Sequence, residues 1–527
     1  MFHILIADPI SDEGLDVLVD NENITLTKDT GLTPEELENR IATFDALLVR
    51  SQTKVTRSII EKAKNLKIIG RAGVGVDNID LDAATENGII VVNAPNGNTN
   101  SAAEHTMAMI MSLSRKIPQA HSGLKNHKWE RSKYVGVEVK NKTLGIVGLG
   151  RIGTEVAYRA KGQRMNVIAY DPFLTEEKAE KMGIEYGELE DVLNKADYIT
   201  VHTPLMKETR HMISVDAFRQ MKDGVHIINC ARGGIIDEEA LYDALVSGKV
   251  AGAAIDVLEE EPFQDHKLLE LSQVVATPHL GASTVEAQEN VAIDVCHDVQ
   301  KHLTGDLVKN PVNMPSVPSD VLSQIEPYFH LAEKLGMFLI RLTEDVPEEV
   351  NIYYSGELAD VKIAPITRNA VKGLLQRHLG SHVNDVNALY LAGKKDITIH
   401  ENRTSTTEGF TNLMTIELKS KSGTRSVSGT LLNGLGARIV RVDHYSVDMM
   451  PHGHIVMIHH QDLPGVIGKM GSLLAEHHIN IATMQVDRSD IGGDAIMILT
   501  IDKNPEQKEL EALKELEEIS DVTAVDL

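Results

Sequence analysis

The sequence predicts an α/β chain with two parallel sheets, followed by two α+β modules, on three observations. Short apolar runs alternate with helical patterns from Ile4 to Leu303, the rhythm of parallel βα units. A glycine-rich turn, Gly148-Leu149-Gly150-Arg151-Ile152-Gly153, joins one of those runs to a helix. Beyond the Pro-rich stretch Asn310 to Pro318 the pattern changes to alternating strands and Gly-rich turns, and it closes on a β-α-β-β-α-β series.

In chain order, Ile4 to Ala7, Ala46 to Val49, Lys67 to Gly70 and Ile89 to Asn93 read as buried parallel strands. Glu13 to Val19, Pro34 to Ile41 and Ser58 to Ala63 read as the helices between them. Thr99 to Leu113 is a small-residue helix bridging to a second sheet, whose first strand runs straight into the glycine turn. There Gly148 permits the tight turn, Gly150 lets the backbone approach a pyrophosphate, and Gly153 lets helix and strand pack closely. The helix start supplies free N–H groups and a positive dipole end for phosphates. Strand Asn166 to Tyr170 ends in Asp171, about 20 residues past the glycines, where an acid accepts hydrogen bonds from ribose hydroxyls. A 2′-phosphate would be repelled there, so NAD is expected over NADP.

Further strands are expected at Asp197 to Thr203, Val225 to Asn229, Ala251 to Asp256 and Val274 to Ala276, with helices at Val215 to Gln220 and Glu238 to Ser247. The long helix Thr284 to Leu303 is read as returning to the first sheet, which makes the nucleotide-binding unit an insertion. The expected divisions are therefore 1–97, 98–284, 285–310, a linker at 311–318, an α+β unit at 319–447 opening on a helix Ser319 to Arg341, and 452–527.

A net charge of −25 argues against non-specific nucleic-acid binding, and the basic, aromatic stretch Lys125 to Trp129 is too isolated to change that. An anionic substrate must then be met by local arginines. Two cysteines in 527 residues fit a reducing cytosol. No run approaches the apolar length of a membrane span, and the start Met1-Phe2-His3-Ile4 lacks the basic flank of a signal peptide. A cytoplasmic protein with no membrane partner is expected. His452, His454, His459, His460, His477 and His478 cluster near the tail. Adjacent histidines on a strand face opposite ways and no cysteine lies near, so no metal is expected.

Three residues after strands carry the chemistry: Arg232 in Asn229-Cys230-Ala231-Arg232-Gly233-Gly234, Glu261 before Pro262, and His279 in Thr277-Pro278-His279-Leu280-Gly281. In an open α/β sheet, ligands bind beyond the carboxyl ends of strands, so these loops can share one crevice. Hydride transfer from a secondary alcohol needs a base, a group that tunes it and a cation to hold the substrate. Histidine suits the first. A buried carboxylate such as Glu261 stabilises an imidazolium, and Arg232 offers a planar fork to a carboxylate. Spacing alone carries these roles weakly: an arginine after a strand is usually on the surface, and an acidic run is usually a solvated face. Cys230 beside them is a redox switch or, more commonly for such a position, a small buried residue.

The motifs in combination are more specific. Val49-Arg50-Ser51, Gly70 to Asn78, Asn98 to Glu104, the glycine turn, His202-Thr203-Pro204-Leu205, Asn229 to Gly234, Asp256 to Pro262 and Thr277 to Thr284 stand in one order over the first 310 residues. This set resembles the D-isomer-specific 2-hydroxyacid dehydrogenase family. The resemblance implies a catalytic triad of Arg232, Glu261 and His279. It implies NAD contacts at Val74, Gly148, Gly150, Arg151, Ile152, Gly153, Asp171 and Thr203, and further along at Cys230, Ala231, Arg232, Asp256, His279, Leu280, Gly281 and Ala282. Substrate contacts are implied at Arg50, Ser51, Gly73, Val74, Asn98 and Arg232, with Arg50 near a phosphate. Leu258 and Asn100 depart from the usual residues without touching the triad.

Relatives that act on smaller hydroxy acids end shortly after the returning helix, whereas this chain continues for over 200 residues. Asp462-Leu463-Pro464-Gly465-Val466-Ile467-Gly468 with Ile479-Asn480-Ile481 resembles the ACT domain, an amino-acid-sensing module. Residues 319–447 resemble the intervening domain of the long family members, with Arg441 and His444 departing from its closing pattern. The implied fold is a Rossmann-type NAD domain inserted in a flavodoxin-like substrate domain, followed by an α+β intervening domain and a ferredoxin-like ACT domain. The implied reaction is NAD-dependent oxidation of 3-phospho-D-glycerate, opening L-serine synthesis, with 2-oxoglutarate reduction as a side activity. L-Serine is the implied effector, at His460, Asp462 and Asn480 at an interface between two chains, and a homotetramer the implied assembly. NAD-sensing corepressors share the first 310 residues but lack the ACT tail, and an idle amino-acid sensor would not need the triad.

Overall fold

Two parallel sheets account for the first 310 residues. The computed structural model describes residues 1–263, 265–343, 345–407 and 409–527. The first sheet runs Ile24–Lys28, Phe2–Ile6, Ala46–Val49, Ile68–Arg71, Ile90–Asn93, all parallel. Its inner strands are buried and apolar over Ile4–Ile6, Ala46–Val49 and Ile68–Gly70 because helices cover both faces. The edge strand Ile24–Lys28 has no counterpart in the sequence reading. Its Ile-Thr-Leu-Thr-Lys alternation is only half buried, so it lacks the continuous apolar signal of its neighbours.

The chain leaves this sheet after Asn93 and returns as helix Val285–Thr304. Val291, Val295, Cys296 and Val299 of that helix share a core with Ile4, Ile6 and Leu48. Gly14 sets the closeness of the fit, since a Cβ there would lie 2.5 Å from Ala292 Cβ. The inserted sheet runs Val274–Ala276, Val250–Ile255, Val225–Asn229, Tyr198–Val201, Thr143–Val147, Asn166–Tyr170, Glu185–Tyr186, again parallel. Chain order reverses between Tyr198–Val201 and Thr143–Val147, which opens a crevice at their carboxyl ends.

The Pro-rich stretch is not a free spacer. Val312 N–H donates to Val91 O at 2.7 Å, and Asn313 Oδ1 accepts the Val91 N–H at 2.9 Å, so the stretch lies along the edge strand Ile90–Asn93. The helix expected over Ser319 to Arg341 is broken: Ser319–Ile325 ends and Pro327–Leu339 begins afresh, because proline supplies no N–H and crowds the preceding turn. The third sheet runs Thr398–Thr404, Glu349–Gly356, Asn412–Ser420, Gly423–Leu432, Gly436–Val442, Tyr445–Met449, antiparallel except for its first pair. Helices Pro327–Leu339 and Ala364–Leu379 cross where Gly336 and Gly373 meet the facing backbone.

The last sheet runs Ile481–Arg488, Asp494–Ile501, His454–Gln461, Ile519–Asp526, antiparallel, with helices Val466–Glu476 and Gln507–Lys514. This is a split βαβ, ferredoxin-like layout. Among the described residues no helix is long and apolar enough to cross a membrane.

Candidate active site

The glycine turn has the geometry its sequence requires. Gly148 sits at φ +96°, open to glycine, and a Cβ on Gly153 would lie 2.1 Å from Gly148 O. A Cβ on Gly150 would meet nothing within 4 Å, so this backbone borders open space. No side chain caps the helix Arg151–Gly162, whose first amides stay available to phosphate oxygens. Ile152 packs on the domain core, and Arg151 Nη1 donates to Pro95 O at 3.3 Å. Asp171 Oδ2 accepts the Leu149 N–H and its Oδ1 the Phe173 N–H, each at 2.8 Å, which fixes the acid beside the turn. Thr203 Oγ1 is buried at the crevice without a hydrogen-bond partner among the described residues. These residues fit a dinucleotide: open backbone for the pyrophosphate, a fixed acid for the ribose and an unspent hydroxyl.

Asp256 follows strand Val250–Ile255 and is buried beneath the His279 loop. Its buried carboxylate accepts from Thr277 Oγ1 at 2.6 Å, Leu280 N at 2.7 Å and Gly281 N at 2.8 Å, and pairs with His105 Nε2 at 3.1 Å. Burial works against its charge, and the donors from His105, Thr277 and Leu280 outweigh it, holding the carboxyl below the usual range. Asp256 therefore staples the His279 loop to strand Val250–Ile255, with both oxygens spent inside the protein. Cys230 is buried and its thiol is pushed up to about 12 by burial, with Asp256 adding to the effect. That leaves little thiolate for redox chemistry, so the small-buried-residue reading of Cys230 holds.

His279 and Glu261 meet. His279 Nδ1 and Glu261 Oε2 are 2.6 Å apart, and Glu261 Oε1 accepts the Leu258 N–H at 2.9 Å. Burial raises the Glu261 carboxyl, but the bonds from His279 and Leu258 outweigh it, so the group lies below the ordinary glutamate range and stays ionised. His279 takes a left-handed conformation, φ +56°, and its N–H donates to Asp256 O at 2.8 Å. With Nδ1 committed to Glu261, Nε2 is the ring atom left for the cleft. Leu258, Pro262 and Pro278 wall the pair on an apolar side.

Arginines gather at the cleft. Arg232 donates through Nε to Asp77 Oδ2 at 3.1 Å and through Nη1 to Ala231 O at 2.7 Å. Arg71, at the carboxyl end of strand Ile68–Arg71, is pushed down to about 10 by burial and by the neighbouring charges of Arg232 and Arg50, with Asp77 opposing. Gly75 and Gly73 make the room: a Cβ at Gly75 would lie 2.0 Å from Arg232 Nη2, and one at Gly73 would lie 1.5 Å from Arg71 Nη1. The cleft between the sheets encloses about 620 Å³ and is bordered by Arg50, Ser51, Gly73, Val74 and Asn98 on one side and by Arg232, Glu261, His279 and Ala282 on the other. Asn98 Oδ1 is buried there with no hydrogen-bond partner among the described residues. Arg71 and Asp77 are not among the sequence-predicted site residues. The signal for Arg71 was present, since it ends a buried strand, and Arg50, Arg232 and His279 lie just past strand ends.

The tail residues are not brought together. Asp462 follows strand His454–Gln461 at the end where Gln461 pairs with Asp494; Asn480 precedes Ile481–Arg488 at the other end, where His454 and Ile481 both pair with Ile501. Asp462 Oδ2 accepts from Arg488 Nη1 at 2.7 Å and Gly492 N at 3.2 Å, while Asn480 Nδ2 donates to Asp502 at 2.8 Å. One chain therefore cannot hold a serine between them, because the helix Val466–Glu476, about 16 Å long, separates them. His460 is buried, with Nδ1 on Gln461 O at 2.8 Å and Nε2 unpartnered. Among the described residues no three His, Cys, Asp or Glu side chains are grouped to hold a metal.

Similarity to known proteins agrees with this geometry. Residues 107–281 match the NAD-binding domain of D-isomer-specific 2-hydroxyacid dehydrogenases, 324–443 the D-3-phosphoglycerate dehydrogenase intervening domain, and 454–518 the ACT domain. The chain is 46% identical over 527 residues to the D-3-phosphoglycerate dehydrogenase of Bacillus subtilis, covering 100% of this chain and 99% of that one. It is 44% identical to that of Methanocaldococcus jannaschii, covering both in full. Among solved structures, D-lactate dehydrogenase from Aquifex aeolicus, complexed with NAD and lactic acid, aligns with a TM-score of 0.53 at 31% identity, over 59% of this chain and 100% of that one. The chain belongs to the D-isomer-specific 2-hydroxyacid dehydrogenase family, in its D-3-phosphoglycerate dehydrogenase branch with intervening and ACT domains.

Proposed function

We propose that this protein oxidises 3-phospho-D-glycerate with NAD to 3-phosphooxypyruvate, the entry step of L-serine synthesis. The observation that carries the reading is the convergence of Arg50, Arg71 and Arg232 beside the His279–Glu261 pair. A substrate with both a carboxylate and a phosphate can use three guanidiniums; glycerate or lactate cannot. The names of the full-length relatives support the same substrate.

Arg232 presents its planar fork to the substrate carboxylate and carbonyl oxygen, and Arg50 and Arg71 hold the phosphate. His279 Nε2 accepts the proton of the substrate hydroxyl, and ionised Glu261 stabilises the imidazolium that forms. NAD held there would supply the acceptor for the hydride leaving the carbon that bears the hydroxyl. The glycine turn, the free amides of helix Arg151–Gly162 and Asp171 hold the cofactor, and the buried Asp256 staple keeps His279 at its edge. In the reverse direction the imidazolium returns its proton to the carbonyl oxygen.

The same reading makes the chain a substrate-binding unit from 1–97 with 285–310, an NAD unit at 98–284, an intervening unit at 319–447 and an ACT unit at 452–527. It takes the assembly as a cytoplasmic homotetramer. Exposed Ile117, Leu124, Trp129, Val135 and Val137 supply an apolar surface for pairing of the NAD units. L-Serine is the effector, held between ACT units of two chains. A panel of 3-phosphoglycerate, glycerate, lactate and 2-hydroxyglutarate with NAD and NADP tests the reaction. The phosphorylated acid with NAD should lead in kcat/KM by about 100-fold, as loss of a charge-assisted contact implies. A lead by lactate or glycerate would overturn the assignment.

A further inference from the structure

Behind the His279–Glu261 pair lies a layer of polar contacts that the reaction as described does not use. Glu238 opens the helix Glu238–Val246, a position where a glutamate commonly faces water and stabilises the helix dipole. Here its side chain is only 17% exposed. Both oxygens are spent off the helix: Oε1 accepts the Glu259 N–H at 2.8 Å, and Oε2 accepts from His266 Nε2 at 2.8 Å. Glu259 adjoins Leu258, whose own N–H goes to Glu261 Oε1 at 2.9 Å. The loop is also pressed from the Arg232 side, because a Cβ at Gly233 would lie 2.0 Å from Leu258 O and 2.6 Å from Glu259 N. The Glu259 side chain turns away to His211 Nε2 at 2.9 Å, with Arg210 at 4.0 Å, and Asp237 lies 4.0 Å from His211 Nδ1.

The main chain at Leu258 and Glu259 is thus fixed by two carboxylates. One is Glu261, which also holds His279. The other is Glu238, which stands on a buried helix and strand framework. We propose that Glu238 is a positioning residue for the proton transfer: it anchors the 258–261 loop so that the Glu261 carboxylate stays directed at His279 Nδ1. This rests on the assignment of His279 as base and Glu261 as its partner. Loss of the anchor lets the loop drift, and a drift of an ångström at a proton-transfer pair is costly.

The test compares three variants with the unmodified protein and with Glu261→Gln. Glu238→Ala should lower kcat on 3-phosphoglycerate about tenfold, leave the KM for NAD within about twofold, and move the acidic limb of the kcat/KM profile towards that of Glu261→Gln. Glu238→Asp keeps the charge at the helix start but withdraws the carboxylate from the loop, so it should behave like Glu238→Ala; it also serves if the alanine variant does not fold. Glu238→Gln keeps a carbonyl oxygen for the Glu259 N–H and should recover most of the turnover. Wild-type kcat and pH profile in both the alanine and aspartate variants would overturn the proposal, as would equal impairment of the glutamine variant. A readout independent of the substrate separates this from the reaction itself: the imidazole nitrogen resonances of His279 in the NADH complex, identified by their loss in His279→Gln. They should move in Glu238→Ala and stay in Glu238→Gln even if 3-phosphoglycerate is not the substrate; unmoved resonances in the alanine variant would sink the positioning role.

Discussion

The cleft and the tail apply one geometric rule with opposite results. In the cleft, Arg71, Arg232 and His279 all follow the carboxyl ends of parallel strands, so residues far apart in sequence arrive at one edge. In the tail, Asp462 follows the strand His454–Gln461 and Asn480 precedes the strand Ile481–Arg488, so residues close in sequence are sent to opposite ends of the sheet. Closeness in sequence is therefore a poor guide to a shared site; position relative to strand direction is the better one. The cleft residues named above all come from one chain, whereas Asp462 and Asn480 of one chain lie apart.

Four experiments sharpen or break that contrast. His279→Ala should have the largest effect, a loss of about 10²–10⁴-fold in kcat with NADH affinity nearly kept; stopped-flow turnover with fluorescence titration of NADH measures both, and a small loss would place the base elsewhere. Arg71→Ala should raise the KM for 3-phosphoglycerate by roughly 10–100-fold while changing the KM for NAD little. An unchanged substrate KM would remove Arg71 from the anion site and with it the case for a phosphorylated substrate. In the tail, Asp462→Ala should raise the serine concentration for half-maximal response by about tenfold. Mixed oligomers of Asp462→Ala and Asn480→Ala chains should then regain half their sites if two chains complete each one, and a wild-type response in both single variants would place the effector elsewhere.

The smallest effect concerns acid stability. The Glu261 carboxyl lies below the ordinary glutamate range when folded, so its contribution is fully present above about pH 4.5 and is lost as the pH falls through the folded value. The gap in urea midpoint between the unmodified chain and Glu261→Gln should shrink as the pH falls below about 4.5. A difference that grows on acidification would mean that the pair does not stabilise the ionised form.

Much of the fold was legible because buried parallel strands are continuous apolar runs. Ala46–Val49, Asn166–Tyr170, Val225–Asn229 and Val274–Ala276 stand where the sequence reading places them. Ile24–Lys28, Leu81–Glu86 and Glu185–Tyr186 were not read, since an edge strand, a six-residue helix and a two-residue strand bury too little to leave a pattern. The long helix from Ser319 was over-read, with Pro327 as the visible warning. In the site, the glycine turn was readable because Gly148 and Gly153 answer local steric demands and Gly150 leaves the backbone open. The part Asp256 plays in holding the His279 loop was not: only the surrounding loop reveals that Thr277, Leu280 and Gly281 donate to its oxygens.

The sequence by itself determined the two parallel sheets, the insertion of one in the other, the glycine turn and the family, because these follow from local apolar pattern, glycine sterics and motif order. Only the tertiary structure decided which charges face one another. Arg50, Arg71 and Arg232 share a cleft with Asp77, Glu261 turns to His279 while Glu238 holds its loop, and Asp462 stands away from Asn480. Such pairings depend on how sheets stack and on which way each strand runs, and neither is encoded in the residues within a few positions of the charge.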